Sequence, residues 1–217
     1  MTTPITIDVV SDVICPWCFL GKRRLDKALE GLPGVEANVI WRPFFLDPTI
    51  PEEGMDRRTY LANKFGEERL STLHDPLIEA GKKDGVPYHF ERITRTPNTR
   101  KAHILLQYAA GSPRQHELAE RLFMAYWNEG RDIGSEDELL SIAKETGFEE
   151  GEVRSALSDS SRAIVVDREA QQAQRMGITG VPTFIIGRKL ALVGAQPPEA
   201  IADAIAQVMQ PASPASS

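Results

Sequence analysis

The sequence predicts an α/β chain in which a βαβ unit and a ββα unit share one sheet, with a long α-helical block inserted between them. Three observations carry this. β-rich segments flank a helical pattern within residues 1–47, helical periodicity then dominates residues 48–177, and two short β-rich segments followed by a helix occupy residues 178–210. Neither terminal unit could cover its own apolar face, so the two must share a sheet, with the helical block expected as a lid across it.

The elements follow in order. Ile5-Thr6-Ile7-Asp8-Val9-Val10 is β-rich and partly alternating, and reads as a strand. After Cys15-Pro16-Trp17-Cys18, apolar residues Leu25, Ala28, Leu29 and Leu32 recur at helical spacing with Cys18. Pro16 sits in the first turn, where a helix tolerates proline, and Pro33-Gly34 ends the pattern. Ala37 to Leu46, with Val39, Trp41, Phe44 and Phe45, reads as a second strand. Pro43 within it predicts an edge position or a bulge.

Pro48, Pro51 and Gly54 make a linker into the helical block. Arg57 to Gly66 is a short helix, and Glu67 to Gly81 a second one broken near Pro76. Thr99 to Ala110 and Arg114 to Glu129 carry apolar faces. Ser135 and Glu138 have capping-box spacing ahead of Leu139, Ile142 and Ala143, and Glu149 to Leu157 and Arg162 to Met176 follow as helices. Thr183 to Ile186 and Lys189 to Val193 read as a hairpin around Gly187-Arg188. Ile201, Ala204, Ile205 and Val208 mark a final helix, and Pro211 to Ser217 is a disordered tail by composition.

Composition narrows the function classes. With 217 residues, 41% hydrophobic and 26% charged, the chain can bury a core without disulfide staples, so its two cysteines are not needed to hold it together. A net charge of −6 gives no basic face for nucleic acid. No apolar run approaches the roughly 18 residues of a membrane helix. Met1 to Asp12 lacks the pattern of a secretory signal, which points to a cytoplasmic protein. Disulfides there are usually transient and catalytic or redox-sensing.

The chemistry lies in Cys15-Pro16-Trp17-Cys18. A two-residue spacer within one helical turn puts two thiols at disulfide-forming distance. Free N–H groups and the dipole at the helix start favour a thiolate, the attacking species in disulfide exchange. Cys15, the outer residue, should have the lower pKa and attack. Cys18, one turn inside, should be more buried and resolve. Pro16 stiffens the loop, and Trp17 offers apolar surface beside the sulfur. A zinc site would need further ligands, and His74, His89, His103 and His116, spaced 15, 14 and 13 apart, fit no finger pattern, so no metal is expected.

Ser11-Asp12-Val13-Ile14-Cys15-Pro16-Trp17-Cys18 resembles the active-site segment of the DsbA family of the thioredoxin superfamily, and more narrowly its FrnE-like branch of dithiol–disulfide isomerases. Asn98 to His103, Leu122 to Tyr126, Gly180-Val181-Pro182-Thr183-Phe184 and Gly194-Ala195-Gln196 resemble that branch as well, so the likeness spans about residues 5–209. It implies a thioredoxin-like fold with a large α-helical insertion, and a cis Val181-Pro182 peptide facing the cysteines. The loop before Pro182 would then offer its backbone to the substrate. Read alone, Pro182 is simply a proline at the start of a strand. The family usually carries histidine at the position of Trp17, which leaves strong oxidant behaviour unassigned. Some FrnE-like members have a second cysteine pair, which this chain lacks.

The expected site is therefore Cys15 and Cys18 as catalytic residues, with Pro16, Trp17, Val181 and Pro182 contacting substrate. No cofactor is expected beyond a redox-active Cys15–Cys18 disulfide. Asp12, Asn98 and His103 are accessory candidates. Their plainer roles are a turn for Asp12, a helix cap for Asn98 and a satisfied helix histidine for His103. Asp8 could face inward beneath the thiols as a proton acceptor, while Trp41, Phe123 and Trp127 read as core. The partner is a disulfide- or thiol-containing protein or small molecule, glutathione included, with no nucleic acid and no membrane. Two other readings compete. One is a glutathione-dependent isomerase of the 2-hydroxychromene-2-carboxylate isomerase or kappa-class type, whose members usually carry serine at the position of Cys15. The other is a non-enzymatic chaperone using the helical block. The direction of electron flow and the oligomeric state are not legible in the sequence.

Overall fold

Alternation along the first β-rich segment becomes a central strand. The computed structural model describes residues 4–210; residues 1–3 and the tail at 211–217, read above as disordered, lie outside the described residues. β1 (Ile5–Ser11) buries Ile7 and Val9 completely, and runs parallel to β2 (Ala37–Pro43) through α1 (Pro16–Glu30). β2 stops at Pro43 instead of reaching Leu46. It is an edge strand, where a missing N–H goes unnoticed. Beyond it the chain turns, and the Leu46 N–H donates to the Asp12 carboxylate at 2.7 Å.

The inserted block holds a two-residue ladder of β3 (Met55–Asp56) and β4 (Arg95–Thr96), with α2 (Arg57–Phe65) and α3 (Asp75–Asp84) between them. α4 (Arg100–Tyr108), α5 (Gln115–Trp127), α6 (Glu136–Glu145), α7 (Glu150–Ser158) and α8 (Ser160–Arg175) follow. β5 (Thr183–Ile186), β6 (Leu190–Val193) and α9 (Pro198–Met209) complete the chain. The sheet order is β2-β1-β5-β6, with β5 antiparallel to β1 and to β6. Both ends of the chain thus build one sheet. Gly187 and Arg188 turn the last hairpin with left-handed φ of 56° and 57°, and the Lys189 N–H closes the turn on the Ile186 carbonyl at 3.0 Å.

One sheet face, carrying Ile7, Val9, Phe184 and Ile186, packs into the same apolar core as Phe19 and Leu25 of α1 and Ile201 and Ile205 of α9. Val10 packs on the other side with Phe44 and Ala173 of α8. Leu25 is fully buried, so truncation to alanine there would cost about 2–5 kcal/mol. α1 also packs against α3 and α5, and α4, α5 and α8 all contact β2. The helical block packs on β2 and, through α8, on the sheet face that carries Val10. Trp41 of β2, paired with Val9, is 4% exposed, and its ring meets Phe123 of α5 at 5.7 Å.

Two local expectations are corrected. Pro76 does not break a helix but opens one, in the first turn of α3, where its absent N–H is no loss; Glu67–Arg69 is a separate 3-10 turn. Ser135 does precede α6, but its side chain makes no capping bond; its N–H donates to the Asp132 carbonyl and the Glu138 carboxylate pairs with Arg131, so no capping box forms. Among the described residues no helix is long and apolar enough to cross a membrane.

Candidate active site

Cys15 is the N-cap residue of α1, with extended backbone (φ −91°, ψ 113°), and no side chain caps the helix start. Pro16 follows in the first turn, and the Cys18 N–H donates to the Cys15 carbonyl at 3.0 Å. Both thiols are free. Their depths are nearly equal, at 3% and 0% exposed. The expected inequality is one of surroundings: Cys15 lines a cavity of about 440 Å³ and Cys18 does not. Burial, and then the hydrogen bond and charge of Cys15, push the Cys18 thiol well above its ordinary range. The Ser11 hydroxyl, beside Cys18, pulls the other way.

Opposite the pair, the Val181–Pro182 peptide is cis, and Cys15 Sγ lies 3.7 Å from the Val181 carbonyl oxygen. Trp17 is 41% exposed at the mouth of the cavity, which Pro16, Gly180 and Val181 also line. Pro182 is buried. It rests on α1 at Gly21, where an added Cβ would lie 2.7 Å from the proline ring.

Three elements of the inserted block grip the turn before the helix. The His103 Nε2 of α4 lies 3.3 Å from Asp12 Oδ1 and 3.1 Å from the Phe44 carbonyl oxygen, with His103 and Asp12 both buried. The Trp127 indole of α5 donates to the Val13 carbonyl at 3.1 Å. Tyr88 donates to the Pro16 carbonyl at 2.6 Å. Asp12 also takes the Leu46 N–H, and its own carbonyl accepts from the Cys15 N–H at 3.0 Å. The two accessory residues Asp12 and His103 thus meet as a buried brace behind the cysteines. Asn98 does not join them. Its side chain accepts from the Arg100 N–H at the start of α4 and donates to the Ile50 carbonyl. Asp8 is not beneath the thiols either: its carboxylate is drawn to Arg42 at 2.7 Å.

Sequence reasoning missed Tyr88 and Arg57, and gave Trp127 only a core role. Arg57 is 7% exposed and lines the cavity beside Cys15. No local signal marks these residues, since each acts on a partner far away in sequence. Among the described residues no group of three or more His, Cys, Asp or Glu side chains is placed to hold a metal ion.

The DSBA-like thioredoxin domain family matches residues 6–206. The chain belongs to this family. The DsbA-like fold with its helical insertion, and membership of a family of thiol–disulfide oxidoreductases, are thereby settled for it. Among curated proteins, the uncharacterized protein YwbO of Bacillus subtilis (strain 168) is 32% identical over 184 residues, which is 84% of this chain and 87% of YwbO. The crystal structure of the probable DsbA oxidoreductase SCO1869 from Streptomyces coelicolor superposes with a TM-score of 0.84 at 30% identity, over 94% of this chain and 89% of that one. Two more distant structures share the DsbA-like chain's fold. They are a 2-hydroxychromene-2-carboxylate isomerase (TM-score 0.73, 18% identity, 94% and 95% covered) and the cytosolic disulfide reductase DsbM from Pseudomonas aeruginosa with GSH (0.64, 20%, 94% and 100%).

Proposed function

We propose that this chain exchanges disulfides through Cys15 and Cys18, as a dithiol oxidoreductase or isomerase of the FrnE-like branch. The observation that carries the reading is the position of Cys15, at an uncapped helix start, on a cavity, with the Val181 carbonyl at 3.7 Å. The Cys15 thiolate attacks one sulfur of a substrate disulfide. A Cys15–substrate bond forms, the substrate S–S bond breaks, and the other half leaves as a thiolate. Cys18, once deprotonated, attacks Cys15 Sγ and releases the second half. Two substrate thiols are made and the Cys15–Cys18 pair is oxidised by the same two electrons. The reverse sequence oxidises a dithiol, and attack without resolution by Cys18 permits isomerisation.

Pro16, Trp17, Val181 and Pro182 form the surface that receives substrate in this reading. Exposed Trp17 supplies apolar contact, and the backbone before Pro182 supplies polar contact. Asp12 and His103 act behind the pair as positioning residues. The test is insulin-disulfide reduction and refolding of a scrambled disulfide protein by the purified chain. Cys15→Ser should abolish both activities, and Cys18→Ser should trap a mixed disulfide on Cys15. Undiminished activity in Cys15→Ser would overturn the proposal.

A second reading, glutathione-dependent isomerisation or glutathione as the thiol co-substrate, draws on the likeness in fold to the isomerase and to DsbM with GSH. Cys15 favours the redox reading, since a thiol at the helix start reacts with disulfides where a serine would only bind a thiolate. Isomerase turnover that survives removal of both thiols would decide for the second reading.

A further inference from the structure

The cavity that receives Cys15 has a charge at odds with the rest of the chain. The protein is net −6, yet no aspartate or glutamate lines this cavity, while Arg57 and Lys64 do. Lys64 is already occupied, near the Asp47 carboxylate at 3.4 Å and the Tyr60 hydroxyl at 2.7 Å. Arg57 is not. Its guanidinium faces the Trp127 ring at 5.3 Å and the Tyr126 ring at 5.9 Å, and donates to the Tyr126 hydroxyl at 2.9 Å. Among the described residues no carboxylate pairs with it. A buried guanidinium usually has a carboxylate or phosphate to match its planar fork.

Two further observations point the same way. Thr96, 2% exposed and on the same cavity, has a buried hydroxyl with no hydrogen-bond partner of good geometry, although it lies close to the Tyr126 phenol. Buried hydroxyls are rarely left so unless something else satisfies them. His74, stacked on Phe90 at 3.8 Å, lines the cavity too. Its pKa is lowered to about 4, first by burial and then by the charge of Arg57, so it is neutral at physiological pH and Arg57's field acts on the cavity.

We infer that Arg57, with Thr96 beside it, anchors a carboxylate of the substrate, so that the preferred substrate is a small disulfide whose attacked half carries a carboxylate on an apolar body. A cavity of about 440 Å³ suits such a molecule. Apolar contact comes from Trp17, Leu77 and Trp127. The anchored half presents its sulfur to Cys15. The Cys15–sulfur bond forms as the substrate S–S bond breaks, and the unanchored half departs as a thiolate with the electron pair.

This inference rests on the disulfide-exchange reading, and the experiment separates the two. The reduced chain is mixed with 5,5′-dithiobis(2-nitrobenzoate), which bears carboxylates, and with 4,4′-dithiodipyridine, which bears none, and both rate constants are measured. Arg57→Met should lower the ratio of carboxylate to neutral rate roughly tenfold or more, as loss of a charge-assisted bond implies, and Arg57→Lys should restore part of it. Thr96→Val should lower the ratio less. An unchanged ratio, whether or not both rates fall, would show Arg57 to be a strut for the aromatic cluster and overturn the inference. Should Arg57→Met fail to fold, the wild-type chain answers alone. Cys15 should favour iodoacetate over iodoacetamide relative to a free thiol, and this preference should fade with added salt; its absence overturns the inference. A wild-type chain inert to both disulfides would instead sink the disulfide-exchange reading.

Discussion

The phenol of Tyr88 donates a 2.6 Å hydrogen bond to the carbonyl oxygen of Pro16, between the two cysteines in sequence. Burial, and then the nearby cysteines, hold that phenol far above its ordinary ionisation range, so it remains a donor across the working pH range. Tyr88→Phe removes the bond and little else. It should cost about 0.5–1.5 kcal/mol in urea denaturation. Reduction rates should fall through a looser Cys15–Cys18 loop, and a variant with wild-type stability and rates would show that the bond does not hold the loop.

Cys18 gives a pH dependence with a definite sign. Its folded-state pKa lies above the unfolded value of about 8.5. The folded chain holds that proton more tightly, so the stability it contributes is complete below about pH 8.5 and is lost as pH rises further. The reduced chain should therefore lose stability on moving from pH 8 to pH 10 relative to Cys18→Ala, measured by thermal melting. Ser11→Ala removes a neighbour that lowers the Cys18 pKa. Resolution of a mixed disulfide should then shift to higher pH, which stopped-flow release of the substrate thiol would show.

Gly21 is placed inside α1, where alanine is ordinarily the better helix former by about 1 kcal/mol. Here the added methyl would lie 2.7 Å from the Pro182 ring and 3.2 Å from Phe184. Gly21→Ala should thus destabilise the fold, by roughly 1–3 kcal/mol as overpacking does, and push the Val181 carbonyl away from Cys15. A melting temperature raised by the substitution would contradict this contact.

His103→Ala should cost about 1–3 kcal/mol, because it removes a donor shared by the buried Asp12 carboxylate and the Phe44 carbonyl. His103→Gln, which can still donate, should recover part of the loss. Equal losses in both variants, by chemical denaturation, would assign His103 to shape alone.

Much of this was legible in the chain. Proline after Cys15, the apolar spacing from Cys18 to Leu29, and the β-rich run before them locate the helix start and put the thiols on it, because these features act within one or two turns. Pro76 was misread for a physical reason: a proline suits either the break or the first turn of a helix, and the neighbouring pattern does not choose. Ser135 and Glu138 had the right spacing, yet the Glu138 carboxylate pairs with Arg131, from outside that motif. β3 and β4, two residues each, are too short to show a period. Tyr88, Trp127 and Arg57 could not be assigned, because their partners or the cavity they line are fixed only by the fold. The near-complete burial of Cys15 has the same origin, since the walls around it come from the inserted helices.

Cys15 and the Val181 carbonyl that meets it are 166 residues apart in sequence. At ribosomal rates of ~5–20 residues per second, the cysteine pair emerges roughly ten to thirty seconds before the loop that completes its surroundings. During that interval the nascent thiols lack β5 and the Gly180–Val181 side of their cavity. The surroundings of the pair are thus completed only when roughly the last forty residues of the chain arrive.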